Sequence, residues 1–222
     1  MATPAEFMEV LKAGDAEKVA AMLAAEPALA GARDAAGRSA LFMAAVRSRE
    51  DLIAALMAAG AAPDLMDCCA IGDIDRAKAW IEKDKAKALA HWENGFTPLH
   101  MAAYFGNAKI ARVLLMNGAE IESVTKNKLA STPLQIAATK GALAVIELLL
   151  SSGADVESRK SENKSPPLVM AVQSGSAGAV TLLLDGGANP SAADGAGKTA
   201  LAFAKEAGSA KLVELLQSRG AS

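Results

Sequence analysis

The sequence of 222 residues is long enough for one large domain or two small ones, and its 52 % content of hydrophobic residues is ample for a core. Most of this content is alanine and leucine, and aromatic residues make up only 4 %, which favours an all-helical protein whose small side chains let helices pack closely. The formal charge of −2 argues against a broad electrostatic surface for nucleic acid or anionic lipid.

Three features bear on the compartment. The N-terminal stretch MATPAEFMEVLK lacks the basic and apolar regions of a secretory leader. The uncharged run from Ser165 to Leu184 contains two prolines and predicts two short helices instead of a membrane span. The only cysteines, Cys68 and Cys69, are adjacent and therefore too constrained for an ordinary disulfide. We expect a cytoplasmic protein that does not bind membrane, or a periplasmic or secreted one if a leader was removed.

An internal duplication lies in the N-terminal part. Residues 8 to 46 align without gaps on residues 66 to 104 at an offset of 58, so that Gly37 corresponds to Gly95 and Leu41 to Leu99. Further along, a Gly-Ala dipeptide and the leucine of a turn motif recur together with spacings of 35, 34 and 33 residues. They lie at Gly118, Gly153, Gly187 and Gly220, and at Leu99, Leu134, Leu168 and Leu201. Two markers that keep the same spacing indicate a repeated unit.

Each unit predicts a turn with a short helix, a second helix and a loop. Thr97 and Thr132 are expected to cap a first helix that holds proline in its first turn, and Gly118 to end a second helix in the left-handed conformation. The motifs TPLHMAA and TPLQIAA, followed by LLMNGA and LLSSGA, resemble the ankyrin repeat, most closely in Phe96 to Glu122. The resemblance implies an all-α solenoid of stacked helix pairs, with the loops projecting as hairpin fingers.

We predict seven helix pairs in a single domain of residues 1–222. They lie near residues 5–26, 39–59, 65–84, 97–117, 132–152, 166–186 and 199–219. Gly60 and Gly72 are separated by 12 residues, whereas the equivalent Gly118 and Gly141 are separated by 23. About one finger is therefore missing before the third pair, which should leave a notch in the row of fingers.

Residues for catalysis or metal binding are scarce. The resemblance implies that His100, inside the turn motif, is structural and bonds neighbouring turns, and we expect His91 to be a solvated loop residue. The stretch GAGKT, Gly195 to Thr199, is the nearest to a phosphate-binding loop, but it aligns with the turn of the repeat. We expect no catalytic residue, metal or cofactor, and phosphate or nucleotide binding at this stretch is the alternative.

The resemblance implies a concave surface of finger tips and first helices that contacts a partner. The core positions expected from the periodicity are Leu99, Met101, Ala102, Ile110, Val113, Leu114, Leu134, Ile136, Val145, Leu148, Leu149, Leu168, Leu182, Leu183, Leu201 and Leu215, and Trp80 by alignment with Leu114. Positions that flank the turn motif, including Leu129, Ser131 and Ser165, are expected to be exposed. The predicted partner-binding residues are Trp92, Glu93, Asn94, Phe96, Tyr104, Phe105, Lys128, Thr139, Lys140, Glu162, Asn163 and Gln173.

Aromatic residues are concentrated in one unit of this surface. The segment from Trp92 to Phe105 holds four of the eight aromatic residues of the chain, and such residues dominate the energetics of protein interfaces. The alternative is that some of them, Trp92 and Phe105 above all, fill the gap that the missing finger leaves. The next fingers carry the basic residues Lys126, Lys128, Arg159, Lys160 and Lys164, and a basic edge beside the aromatic residues suits a partner with an acidic border.

The sequence therefore predicts a monomeric module that binds another protein through its concave face and has no enzymatic activity. Binding is expected to regulate or inhibit that partner, and the alanine-rich composition is compatible with a bacterial regulator. The alternative is a passive scaffold subunit of a larger assembly.

Overall fold

The computed structural model describes residues 2–92 and 95–221, except for the side chain of Lys87, and the chain divides into two compact units, residues 1–80 and 81–222. In the described residues, helices and turns are accompanied only by two isolated antiparallel bridges, Arg33 with Ser39 and Ala193 with Thr199. The predicted all-α class is confirmed. A single domain spanning residues 1–222 stays a prediction.

The first unit is built from helix pairs that pack around small apolar side chains. Its helices are α1 (Pro4–Ala13), α2 (Ala16–Ala25), α3 (Ala40–Val46), α4 (Glu50–Ala58) and α5 (Leu65–Ile71), with a 3-10 turn at Pro27–Gly31, and helix α6 (Ile74–Lys83) contains the boundary between the units. Helix α3 packs against α1 on one side and α5 on the other. Its residues from Ala40 to Ala45 are all buried, because a helix between two neighbours has little surface left.

A short connection joins α4 to α5. It comprises residues 59–64, whereas residues 117–132 join the equivalent helices of a later repeat. Where a finger is missing, the Ser39 hydroxyl donates a hydrogen bond to the buried Asp67 carboxylate and links two first helices directly. Burial, followed by the charge of Asp64, raises the pKa of Asp67 to about 6.

The second unit contains two rows of helices. Its members are α7 (Lys85–Leu89), α8 (Pro98–Phe105), α9 (Ala108–Met116), α10 (Pro133–Lys140), α11 (Leu143–Ser151), α12 (Pro167–Gln173), α13 (Ala177–Asp185), α14 (Ala200–Glu206) and α15 (Ala210–Ser218). First helices α8, α10, α12 and α14 pack in series, and second helices α9, α11, α13 and α15 form the other row. A continuous core runs from Ala103 to Leu216 between the rows.

The local signals of the repeat act as expected. The Thr97 and Thr132 hydroxyls accept the backbone N–H of the third helical residue, and proline holds the first position of α8 and α10. Gly118 ends the second helix at φ +93°, in the left-handed region that favours glycine. These contacts lie within one repeat, so each repeat specifies its own helix ends.

Four residues predicted to be core are less buried than expected. Val113, Leu182 and Leu215 are half-buried on second helices, which contact one another less extensively than the first helices do. Trp80 is 37 % exposed. Its indole Nε1 donates to the Pro63 carbonyl (3.1 Å) in the short connection before α5, so the Nε1 edge of the ring lies against that connection.

Main-chain hydrogen bonds join each finger of the second unit to the next. Gly95 O accepts from Lys126 N (2.7 Å), Leu129 O accepts from Glu162 N (3.3 Å), and Asn163 O accepts from Gly195 N (2.8 Å). We number these loops in chain order, counting the loop that contains Gly95 as the first. The others are finger 2 (117–132), finger 3 (152–166) and finger 4 (186–199). Their positions are therefore fixed by backbone atoms as well as by the helices.

We expect Gly95→Ala to destabilise the second unit by about 2 to 4 kcal/mol. Gly95 has φ +81°, and a Cβ atom there would lie 2.7 Å from the backbone carbonyl carbon of Lys126, so the substitution combines backbone strain with a clash. Gly197→Ala is the matched control, because Gly197 has φ +83° with open space around it, and should cost about 1 kcal/mol. Urea unfolding followed by circular dichroism measures both; equal losses would show that finger 2 moves aside freely.

Candidate functional site

A surface groove of about 400 Å³ crosses three consecutive repeats of the second unit. We call it the central groove. Its apolar lining residues are Phe96, Tyr104, Leu129, Ile136 and Met170, and its polar ones are Lys128, Ser131, Thr139, Lys140, Ser161, Glu162 and Asn163. The groove therefore has an apolar floor and a charged rim, as is usual for ligand sites on proteins.

The floor comes from one position of the repeat. Ile136 on α10 and Met170 on α12 are each the fourth residue of their helix, and both line the groove. Ile136 is buried and Met170 is half-buried. Because the same position recurs in successive helices, the repeat itself lays apolar side chains in a line.

Two aromatic side chains form one wall. Phe96 lies edge-on to the buried His100 ring, with 6.1 Å between centroids, and Tyr104 lies edge-on to Phe105 at 5.0 Å. Lys140 extends from the last turn of α10 until its Nζ is 4.4 Å from the centre of the Tyr104 ring, a cation–π distance. Both Phe96 and Tyr104 are half-buried and pack on the core, so they are part of the frame as well as of the groove surface.

Behind the wall, His100 ties the helix to the next finger. Its Nε2 lies 3.1 Å from the carbonyl oxygens of both Ser123 and Ser131, which can only accept, so Nε2 carries the proton. Nδ1 then accepts from the Thr97 N–H (3.1 Å) and hydroxyl (2.8 Å). Burial lowers the pKa of His100 to about 4. The predicted structural role of His100 is confirmed.

Gln135 links its helix to the next finger in the same way, one repeat later. Its Oε1 accepts from the Thr132 N–H (2.9 Å), and its Nε2 donates to the carbonyls of Ser158 (3.0 Å) and Ser165 (2.9 Å). A neutral amide thus reproduces the donor and acceptor pattern of a neutral imidazole. These bonds hold fingers 2 and 3 against the first helices and so fix the outer edge of the groove.

Seven of the predicted partner-binding residues line this groove: Phe96, Tyr104, Lys128, Thr139, Lys140, Glu162 and Asn163. Phe105 stands behind Tyr104, and Gln173 is exposed at the end of α12, outside the lining. Trp92 is half-buried and its main chain closes the turn before α8, donating to Phe96 O (2.8 Å). Glu93 and Asn94 lie outside the described residues.

The remaining lining residues were not predicted as site residues: Leu129, Ser131, Ile136, Ser161 and Met170. The recurrence of a long apolar side chain at Ile136 and Met170 is a signal that periodicity could have given. Ser131 and Ser165, expected to be exposed, are both buried, because their carbonyls accept from His100 and Gln135 and draw the chain inward. His91 is likewise half-buried, with Nε2 2.9 Å from the Val124 carbonyl.

The stretch from Gly195 to Thr199 forms a turn in which backbone amides are bonded within the protein. Asp194 Oδ1 accepts from the backbone N–H groups of Ala196 (2.9 Å) and Lys198 (3.0 Å), while the Gly195 N–H bonds to finger 3. The Lys198 ammonium pairs with Glu206 and lies 4.2 Å from the Phe203 ring centre. The amides that a phosphate would need are therefore occupied by a carboxylate of the chain itself.

Other reactive groups are dispersed or buried. Across the described residues, no three of the His, Cys, Asp and Glu side chains gather closely enough to hold a metal ion. Cys68 and Cys69 are free thiols in the interior of the first unit, and burial raises the pKa of both. Among these residues there is also no helix with the length and apolarity needed to cross a membrane.

The chain was compared with models of known protein families. A family model described as ankyrin repeats (3 copies) matches residues 65–160. The matched segment holds helices α5 to α11 and most of the groove lining. The helix pairs α12–α13 and α14–α15 continue the same packing beyond it.

Proposed function

We propose that this chain binds a partner protein through the central groove, because residues 65–160 match a family model of ankyrin repeats and such repeats are generally protein–protein interaction modules. The observation that carries the proposal is the groove itself, which combines an apolar floor with a charged rim. Leu129 at its edge is 55 % exposed. A partner that covers this groove removes apolar surface from water, which is the main driving force of association.

Binding is proposed to regulate or inhibit the partner, with a passive scaffold role as the alternative. The two differ in one measurable respect: the partner's own activity changes on binding in the first case and stays constant in the second. We propose further that the chain is a cytoplasmic monomer without catalytic activity or cofactor, and that it does not bind nucleic acid. Ankyrin-repeat proteins are typically non-enzymatic binding modules, which supports the proposed lack of catalytic activity.

Two exposed apolar residues allow a matched test. Leu129 lines the groove, whereas Met116, 80 % exposed, lies at the end of the second helix α9. The full chain and the variants Leu129→Glu and Met116→Glu are immobilised, incubated with a lysate of the source organism, and the captured proteins are quantified by mass spectrometry.

We expect a protein that the wild type and Met116→Glu retain and that Leu129→Glu loses by about tenfold or more. Both variants add one charge at an exposed site, so nonspecific effects of charge should be equal. Loss with Met116→Glu instead would place the contact on the second helices and contradict the proposal.

A further inference from the structure

Among the residues that the structure describes, the lysines at the rim of the central groove have no acidic partner. The ion pairs that the structure describes in the second unit join Lys160 to Glu122, Lys198 to Glu206 and Arg219 to Asp185, and they leave Lys128 and Lys140 without a carboxylate. Lys140 lies over the Tyr104 ring, whose face attracts the charge but supplies no oxygen acceptor for three N–H donors. A ligand carboxylate beside the ring would add a charge-assisted hydrogen bond.

The anionic part of the rim is smaller. Glu162 is its one described carboxylate, and its backbone N–H is held against Leu129 O at the edge of the floor. Two lysines against one glutamate favour an acidic group in the ligand and give it a direction, toward Lys140 and away from Glu162.

The apolar floor of the groove favours a ligand with an apolar side chain next to that acidic group. Leu129, Ile136 and Met170 line the same groove as the charged rim residues, and burying a side chain such as leucine against them removes apolar surface of both partners from water. In an extended segment, residues two positions apart point to the same side, about 7 Å from each other. An apolar residue and a carboxylate with this spacing reach the floor and the lysines together.

We infer that the central groove recognises an extended segment of a partner protein in which a large apolar residue and an aspartate or glutamate are two positions apart. This inference rests on the proposed function and specifies the partner's contact chemistry. The carboxylate binds Lys140, supported by Lys128, and the apolar side chain occupies the floor between Leu129 and Met170.

The test is a selection of random phage-displayed peptides on the immobilised full chain, with peptides that still bind Leu129→Glu removed. The remaining sequences should share the apolar and acidic pair. By fluorescence anisotropy, Lys140→Glu should then weaken a selected peptide at least about tenfold, and replacing the peptide's acidic residue by lysine should restore binding to Lys140→Glu but not to the wild type. Lys109→Glu, an equal charge change at an exposed position of α9, should have no effect.

The outcomes separate the two proposals. Groove-dependent peptides with basic or uncharged residues at that position would overturn the inference while the proposed function stands. Affinity that is unchanged in both Lys140→Glu and Lys128→Glu would overturn it as well. A selection without any groove-dependent peptide also contradicts it, and the capture experiment with Leu129→Glu and Met116→Glu then decides the proposed function independently.

Discussion

Replacing Phe96 and Tyr104 together by alanine is expected to weaken partner binding at least tenfold, or by about 1.4 kcal/mol or more. Both rings form a wall of the central groove, and Tyr104 also carries the Lys140 ammonium on its face. The double variant therefore removes aromatic surface and releases the cation at once. Isothermal titration of the captured partner, or of a selected peptide, measures the loss.

The same double variant is also expected to lose stability, because both side chains are half-buried and pack on the core. Each truncation should cost about 1 to 2 kcal/mol of the free energy of unfolding. Phe203→Ala is the matched control: Phe203 is a half-buried ring on α14 with Lys198 over its face, outside the groove. It should lose about as much stability as either single truncation but keep full affinity, and weakened binding in this control would mean that the binding loss follows from lost stability.

The second large effect is expected from His100→Gln in acid. Between pH 6.5 and pH 4 the unfolded chain binds a proton at this residue that the native protein excludes, because the native pKa of His100 is lowered to about 4. Stability from this site is therefore full above pH 6.5 and falls as the pH is lowered, by about 3 kcal/mol in total. Glutamine removes the titration while keeping the hydrogen bonds, as Gln135 shows one repeat later.

Urea unfolding across this pH range should give a wild-type curve that falls more steeply than that of His100→Gln, with both near the same value at neutral pH. Asp67 acts in the opposite direction, since its raised pKa makes stability fall as the pH rises toward 6. It is present in both chains and cancels in their difference. The reverse substitution, Gln135→His, should introduce a second acid-sensitive site, and parallel curves for all three proteins would contradict the assignment.

The sequence alone predicts the features that depend on contacts within one repeat, such as the helix ends. Thr97, Thr132 and Gly118 act through bonds to residues a few positions away, so their roles follow from short motifs. The partners of His100, by contrast, are carbonyls at Ser123 and Ser131, more than twenty residues further along. For that residue the family resemblance supplied what spacing alone did not.

The errors arise where one repeat differs from its aligned neighbour. Alignment with Leu114 predicts that Trp80 is in the core, but Trp80 is 37 % exposed and its indole donates a hydrogen bond to the Pro63 carbonyl in the short connection beside it. Likewise, the position before the turn motif holds a half-buried ring at Phe96 and a fully buried hydroxyl at Ser165. The size of the side chain, and not the position alone, decides the burial there.

The two positions that form the aromatic wall hold different kinds of side chain in different repeats. In the last repeat the residues equivalent to Phe96 and Tyr104 are Lys198 and Glu206, which form an ion pair. One geometry thus accommodates an apolar pair in the groove and a charged pair near the chain end. The spacing of the repeat indicates where these two side chains meet, but only their identity indicates whether they bind a partner or face water.

Bonds between main-chain atoms hold the fingers at fixed distances from one another. The side chains of Lys128, Leu129 and Glu162 contribute nothing to those bonds, so they are free to change while the loops stay in place. Selection, natural or in the laboratory, can therefore alter what the groove accepts in single steps, each leaving a folded protein. The backbone frame makes this surface evolvable.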